Sequence, residues 1–301
     1  MRVEQIEYIT AVARLRSFRG AAEELHISQP ALSETVRNLE RELGVVILDR
    51  GRSGVRISDE GRELLPHMLD VIEAVDSLRR AADDQHQGSR VVRLGTVTAA
   101  TAPLLTPTMR RFHDAHPAIQ VEVVVAQQER IHRKLLEGGL DLGLVNYLEG
   151  DDMPPNLDTT ELLRGRPVVC IRGDHALAAK AAVHPRDLAG VSLIAMRSGY
   201  VMHRYLHRLL GDRPPAFSYS ADGAEMGKLM VAEGLGAAVL PDYSVIGDPL
   251  EQRGAITFRA IEDDTDVMLM VQRRGGGTAT GAAQDLHALF VDHAQAVTAP
   301  T

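Results

Sequence analysis

Apolar residues near the start of the chain recur at the spacing of a helix. Val3, Ile6, Ile9, Val12 and Ala13 mark one face. Ser17 suits an N-cap and predicts a second helix through "FRGAAEEL". Ser28 or Gln29 caps a third, with Pro30 in the first turn, where a missing N–H costs nothing. Leu32, Val36, Leu39 and Leu43 form the apolar stripe of that helix, and Gly44 suits its end. Gln29, Ser33 and Arg37, spaced by four, are then expected on the opposite, solvated face. The period next changes to that of strands: "VVILDR" and "GVRISD" read as a hairpin joined by the polar turn "GRSG".

A long helix is predicted from about Asp59 to Asp84. Leu64, Met68, Val71, Val75, Leu78 and Ala82 alternate spacings of four and three, an a/d seam. Either the seam pairs two copies or the helix packs on its own domain. Pro66 should kink this helix or mark its true start. "DDQHQGSR" then reads as a hinge. From Val91, strands alternate with helices in the rhythm of a parallel sheet, "VVRLGTV", "TPTMRRFHDAHP", "IQVEVVVA", "ERIHRKLLEGG", "LDLGLVN". A second such series starts near "RPVVCIRG", so two α/β lobes with a cleft between them are expected. "RRGGGTATG" lacks the Gly-Lys-Ser/Thr ending of a phosphate loop and reads as a linker.

Composition narrows the class. A chain of 301 residues holds two or three domains, and 45% hydrophobic with 25% charged residues is ordinary for a globular protein. Aromatics at 4% without Trp argue against a base- or sugar-stacking surface. No apolar run reaches the roughly 18 residues of a membrane span. "MRVEQIEYIT" has no apolar core of a signal peptide, so a cytoplasmic protein that does not engage membranes is expected. Cys170, the sole cysteine, excludes an intramolecular disulfide and a thiolate-rich zinc site. It lies in the apolar strand "PVVCIRG" and is read as inert core. The net charge of -8 argues mildly against a nucleic-acid binder.

The N-terminal pattern argues the other way. Ser17-Phe18, Ala21-Ala22, Leu25, Ser28-Gln29-Pro30-Ala31-Leu32-Ser33, Leu39-Glu40, Leu43-Gly44 and Arg50 keep their order and spacing over about sixty residues, and "GVRISDEG" follows. In these features the chain resembles the LysR-type transcriptional regulators. "VAEGLGAAVLP" is similar to a segment of that family's second effector lobe. The resemblance implies a winged helix-turn-helix (1–58), a linker or dimerisation helix and hinge (59–88), and a two-lobed effector domain (89–301) like type 2 periplasmic solute-binding proteins. Lobe I is expected over about 89–161 plus 267–301 and lobe II over about 162–266. It also implies Gln29, Pro30 and Ser33 as helix contacts to DNA and Arg50 as a backbone contact, with Ser28 at the helix start.

Residue chemistry agrees with that reading. Small Ala21 and Ala22 allow close helix crossing. Gln pairs with adenine, and Arg37 suits guanine or phosphate. Arg50, Arg52 and Arg56 surround the hairpin with no carboxylate between Gly51 and Ser58, which suits a wing on phosphates or in the minor groove. Glu34 departs from the small, polar or basic residue expected there. It either accepts a hydrogen bond from cytosine N4 or faces away. Leu48 stands where Phe is more usual.

Ligands of such α/β lobes sit beyond the carboxyl ends of strands. That marks Thr98, Ala99, Ala100, Thr101, Gln127, Gln128 and Asn146 in lobe I, and Arg197, Ser198, Gly199 and Met226 in lobe II. Thr, Gln, Asn and Arg together suit a small polar or anionic metabolite. His203 and His207 have a metal-compatible spacing, but no third ligand accompanies them, so no metal and no cofactor are expected. No nucleophile elbow or triad order appears, so an enzyme is not expected. The expected partners are double-stranded DNA, a small effector and further copies of the chain, as a dimer or tetramer. The rival is a solute-binding protein or enzyme on the same two-lobed fold.

Overall fold

α1 (Val3–Leu15) begins the first of two units, Met1–Gly88. It buries Ile6, Ile9, Ala11 and Val12. α2 (Phe18–Glu24) starts where the Ser17 hydroxyl accepts from Gly20 N at 3.1 Å, and buries Phe18, Ala21 and Ala22. With only methyl groups at the two alanines, α2 packs against both α1 and α3 (Gln29–Leu43). Ser28 caps α3 through Ala31 N at 3.3 Å, and Gly44 ends it in the left-handed region at φ 73°. Leu32, Val36 and Leu39 are fully buried. Leu43, the last residue of the helix, stands partly in solvent. β1 (Leu48–Gly51) and β2 (Gly54–Ile57) form the antiparallel hairpin, with Leu48 opposite Ile57.

The chain is seen as a computed structural model describing residues 1–51, 54–87, 91–211, 217–276 and 280–298. α4 (Asp59–Gln87) runs unbroken through Pro66 and through most of the stretch expected as a hinge. Its apolar positions serve two ends. Met68 is buried in the core of this unit, with Leu64 and Ile72 against it. Leu69, Val71 and Leu78 are exposed. The side chain of Ala82 lies outside the described residues.

The second unit, Ser89–Thr301, holds two sheets. β3 (Val91–Thr96), β4 (Gln120–Val125) and β5 (Leu142–Leu148) are mutually parallel, with α5 (Thr106–Ala115) and α6 (Gln128–Glu137) between them. β6 (Leu157–Gly165) completes this sheet at its edge. Leu162 and Leu163 are buried there, so lobe I keeps the chain as far as Gly165, past 161. Lobe II follows with β7 (Pro167–Ile171), β8 (Ala182–Val183), β9 (Leu193–Met196), α7 (Val201–Leu210), β10 (Phe217–Ala221), α8 (Ala224–Ala232), β11 (Ala237–Pro241), α9 (Pro249–Gln252) and β12 (Thr257–Ile261). β13 (Val267–Arg274) returns to the first sheet, antiparallel to β5 and β6, and α10 (Gly281–Thr298) packs on α5 and β6. Strand order is 4-3-5-13-6 in lobe I and 10-9-11-7-12-8 in lobe II. Both sheets are mixed, because the two crossings between lobes, at Arg166 and over 262–266, bring strands in from the opposite direction.

Candidate functional sites: a helix face and an interlobe cleft

Burial of Leu32, Val36 and Leu39 sets the orientation of α3. At 3.6 residues per turn, Glu34 and Arg41 lie roughly 170° from the mean direction of that stripe. Ser33 lies only roughly 90° away. It is buried, and its hydroxyl accepts from Arg37 Nη2 at 3.0 Å. The expectation that Ser33 faces solvent is therefore corrected: it stands about a quarter turn from the buried stripe and is itself buried there. Ser28, Gln29, Pro30, Glu34 and Arg37 are exposed.

Three of the four glutamates in Ala21–Glu40 are engaged away from the exposed centre of α3. Glu23 accepts from Arg19 Nε at 3.0 Å, and Glu24 pairs with Arg14. Glu40 Oε1 accepts from both Ile47 N (2.8 Å) and Leu48 N (3.0 Å), tying α3 to the hairpin. Arg56 is exposed on β2. Arg52 and the side chain of Arg50 lie outside the described residues.

In the second unit, direct hydrogen bonds join the lobes. Gln127 Nε2 donates to Ser198 O at 2.8 Å, Ala224 N to Thr98 Oγ1 at 2.8 Å, and Tyr243 OH to Asn146 Oδ1 at 3.1 Å. Arg204 pairs with Asp151. Two glycines make the approach possible. A Cβ on Gly199 would stand 2.6 Å from Gln127 Oε1, and one on Gly223 would stand 2.3 Å from Thr98 Oγ1. Both have positive φ, 95° and 97°.

The cleft has an inner and an outer part. The inner cavity, about 20 Å³ and so room for about one water in this closed arrangement, meets Thr98, Ala99 and Asn146 from lobe I. Met196, Val201, Met202, Leu240 and Pro241 line it from lobe II, so its walls are mainly apolar. The outer groove, about 410 Å³, lies between the first turns of α6 and α7 and is lined by Gln128, His132, Ser198, Gly199, His203 and Arg204, among others. Neither helix start has a side-chain cap, and both border this groove. Glu129, also in the lining, opposes anions there.

A chain of hydrogen bonds supports the groove from beneath. Gln272 Nε2 donates to Tyr147 OH and to Thr159 Oγ1, each at 2.9 Å. Tyr147 OH stands 3.1 Å from His132 Nε2. Burial pushes the His132 pKa down and that of Tyr147 up, so the hydroxyl donates and Nε2 accepts. Neutral His132 then carries its proton on Nδ1. His203 Nδ1 faces the Met196 carbonyl at 2.8 Å, which only accepts, so that nitrogen also bears a proton.

Several expected residues are not at the cavities. Arg197 is exposed and turns to Asp222 at 3.3 Å, because Asp222 also accepts from Tyr200 OH at 2.7 Å on that side. Met226 is half exposed, and Ala224 is the α8 residue in the lining. Ala100 is buried and Thr101 opens the turn into α5, so neither lines the cleft. Gln127 acts as a strap across the cleft. His132 and Arg204, which the sequence did not single out, line the outer groove. His132 stands four residues after Gln128, on the same helix face, and that spacing was the available signal. Among the described residues no three His, Cys, Asp or Glu side chains gather to hold a metal.

Comparison with known proteins adds two family matches. Residues 3–62 match the family described as "Bacterial regulatory helix-turn-helix protein, lysR family", and residues 85–295 match "LysR substrate binding domain". The hca operon transcriptional activator HcaR of Escherichia coli K12 is 26% identical over 305 residues, covering 99% of this chain and all of that one. The dual regulator OxyR of the same strain is 29% identical over 266 residues, 86% of this chain and 84% of OxyR. Full-length CbnR, solved with its target DNA, has the same fold at TM-score 0.64 and 18% identity, covering 99% and 100% of the two chains.

Proposed function

The chain belongs to the LysR family of helix-turn-helix transcriptional regulators, and from that premise we propose how its two units divide the work. α3 enters the major groove with its N-terminal half, through Ser28, Gln29, Pro30, Glu34 and Arg37. Arg50, Arg52 and Arg56 of the hairpin lie on phosphates. Ser33 acts indirectly, by holding Arg37 in place. The observation that carries this reading is the exposed face of α3 above a fully buried Leu32, Val36 and Leu39. CbnR, which shares the fold, has been solved on its target DNA, and that supports the assignment. Two or more copies join through the exposed apolar part of α4, with Leu78 at its centre. No helix among the described residues is long and apolar enough to cross a membrane, in keeping with work in the cytoplasm.

The interlobe cleft takes the effector. Within the expected polar or anionic class, its apolar inner walls favour a small organic acid with an apolar body. The acid group meets Arg204 and the uncapped helix starts in the outer groove, where it competes with Asp151. Binding to one lobe arrangement in preference to another then shifts the DNA-bound population. Lobe contacts that close the cleft supply two such arrangements, straps made and straps broken.

Selection of the full chain on a random double-stranded DNA pool tests this reading. Enrichment of a motif with two half-sites is expected, with affinity falling steeply between 50 and 200 mM salt, on the order of 10³-fold for six or so phosphate contacts. A pool that enriches no sequence, or binding indifferent to salt, overturns the DNA assignment.

A further inference from the structure

The -8 chain places a carboxylate at the centre of the surface that meets a polyanion, and this position has a use. Resting on the assignment of α3 to the major groove, we infer that Glu34 is the residue that reads a cytosine in each half-site. Three observations lead there. Glu34 lies almost opposite the buried stripe of α3, in the second turn of the helix, where recognition helices meet base edges. The other glutamates of the segment are bound to Arg19, Arg14 and the hairpin backbone, whereas Glu34 has no ion pair or hydrogen bond among the described residues. Arg37, three residues on and able to neutralise it, turns instead to Ser33, and Arg41 turns to Asn38 Oδ1 at 3.0 Å.

An unengaged carboxylate must find a donor or be expelled by the phosphates. An ionised Glu only accepts hydrogen bonds. Guanine offers O6 and N7, both acceptors, and thymine offers O4 and a methyl group, so both are rejected. Cytosine N4 and adenine N6 are the major-groove donors, and adenine places the acceptor N7 beside its amino group. Cytosine has no such acceptor on its own edge, so it is the base selected. Arg37, about one turn further along α3, and Arg41, about two turns further along, offset its repulsion of the backbone.

Parallel selections with the full chain and with Glu34→Gln and Glu34→Ala test the inference. The unsubstituted chain is expected to require C at one position of each half-site. Glu34→Gln should move that position to A, since Gln pairs with adenine N6 and N7. Glu34→Ala should lose about 5- to 150-fold of discrimination at that position alone. A changed base preference is a gained property that a misfolded variant does not produce. If Glu34→Ala keeps the same base at every position, or simply binds all sequences more tightly, Glu34 is a repelling group and the inference is overturned. If the unsubstituted chain enriches nothing, the groove assignment itself fails; if it enriches a motif that both variants keep, only the role of Glu34 fails.

Discussion

Lys228 is fully buried in lobe II and spends each of its three ammonium protons on a separate acceptor: Glu225 Oε1 and Ser244 O, both at 2.9 Å, and Asp248. Asp248 in turn caps α9 through Leu250 N at 2.8 Å. Removing one member strands the other charge in the core, so Lys228→Ala should cost about 3–5 kcal/mol of stability. Lys228→Met with Asp248→Asn keeps the cap, removes both charges and should recover most of that loss. Chemical denaturation of the full chain, followed by lobe II side-chain signals, measures both, and equal losses in single and double variants would refute the argument. Cys170 shows the same environment from the other side. Burial pushes its thiol pKa up to about 12, so it carries almost no thiolate at neutral pH. The sequence alone identified Cys170 as core, since an apolar strand surrounds it. It did not identify Lys228, because a lysine in a helix reads as a solvated residue until the partners that bury it are known.

At the scale of elements, Glu40 links the reading helix to the wing. It supplies the acceptor for the amides of Ile47 and Leu48, whose side chains are both buried. Val55 N donates to Arg16 O at 3.2 Å, tying the second strand of the hairpin to the end of α1. Glu40→Ala leaves two buried donors without their carboxylate, at a cost of about 1–3 kcal/mol. Faster hydrogen exchange at Ile47 and Leu48 is expected, with weaker binding to all DNA sequences alike. Unchanged exchange at those two amides would show that the hairpin is held otherwise. Helix starts and ends in this unit were readable from local chemistry: Ser17 and Ser28 cap, and Gly44 terminates. α4 was less so. Pro66 forgoes one backbone bond without ending the helix, and Met68, two residues on, is held in the core of the unit. The a/d pattern likewise could not say which of its members the domain itself would cover.

At the scale of the second unit, the cleft is a closed arrangement with a defined weak point. Thr98, Gln127 and Asn146 are strapped directly to lobe II, whereas Arg204 meets Asp151 at the outer groove, where both are reachable from solvent. Benzoate and octanoate, as probes of an acid on an apolar body, should raise the melting temperature of the full chain, and acetate and benzamide should not. At a hundredfold excess over Kd the gain is about 2.7 kcal/mol. Arg204→Gln should abolish the shift. Benzamide acting as well as benzoate, or a shift that survives Arg204→Gln, would refute the assigned chemistry. Charge also resolves at this scale. Residues 1–65 carry ten arginines and eleven carboxylates, so DNA affinity must come from the placement of a few arginines and not from net charge.

What the sequence determined by itself was local: the three short helices and their caps, the hairpin, the two series of strands and helices, and the residue types gathered at strand ends. These follow from propensity, capping and periodicity, which act over a few neighbouring residues. The tertiary structure alone decided which polar groups face the cleft and which face each other. Arg197 and Arg204 stand seven residues apart around one helix start. The first is drawn outward by Asp222 and the second stands in the cleft opposite Asp151. Ser33 and Glu34 are neighbours in sequence, yet one is enclosed beside Arg37 and the other stands exposed. Such choices depend on partners distant in the chain, and no local pattern contains them.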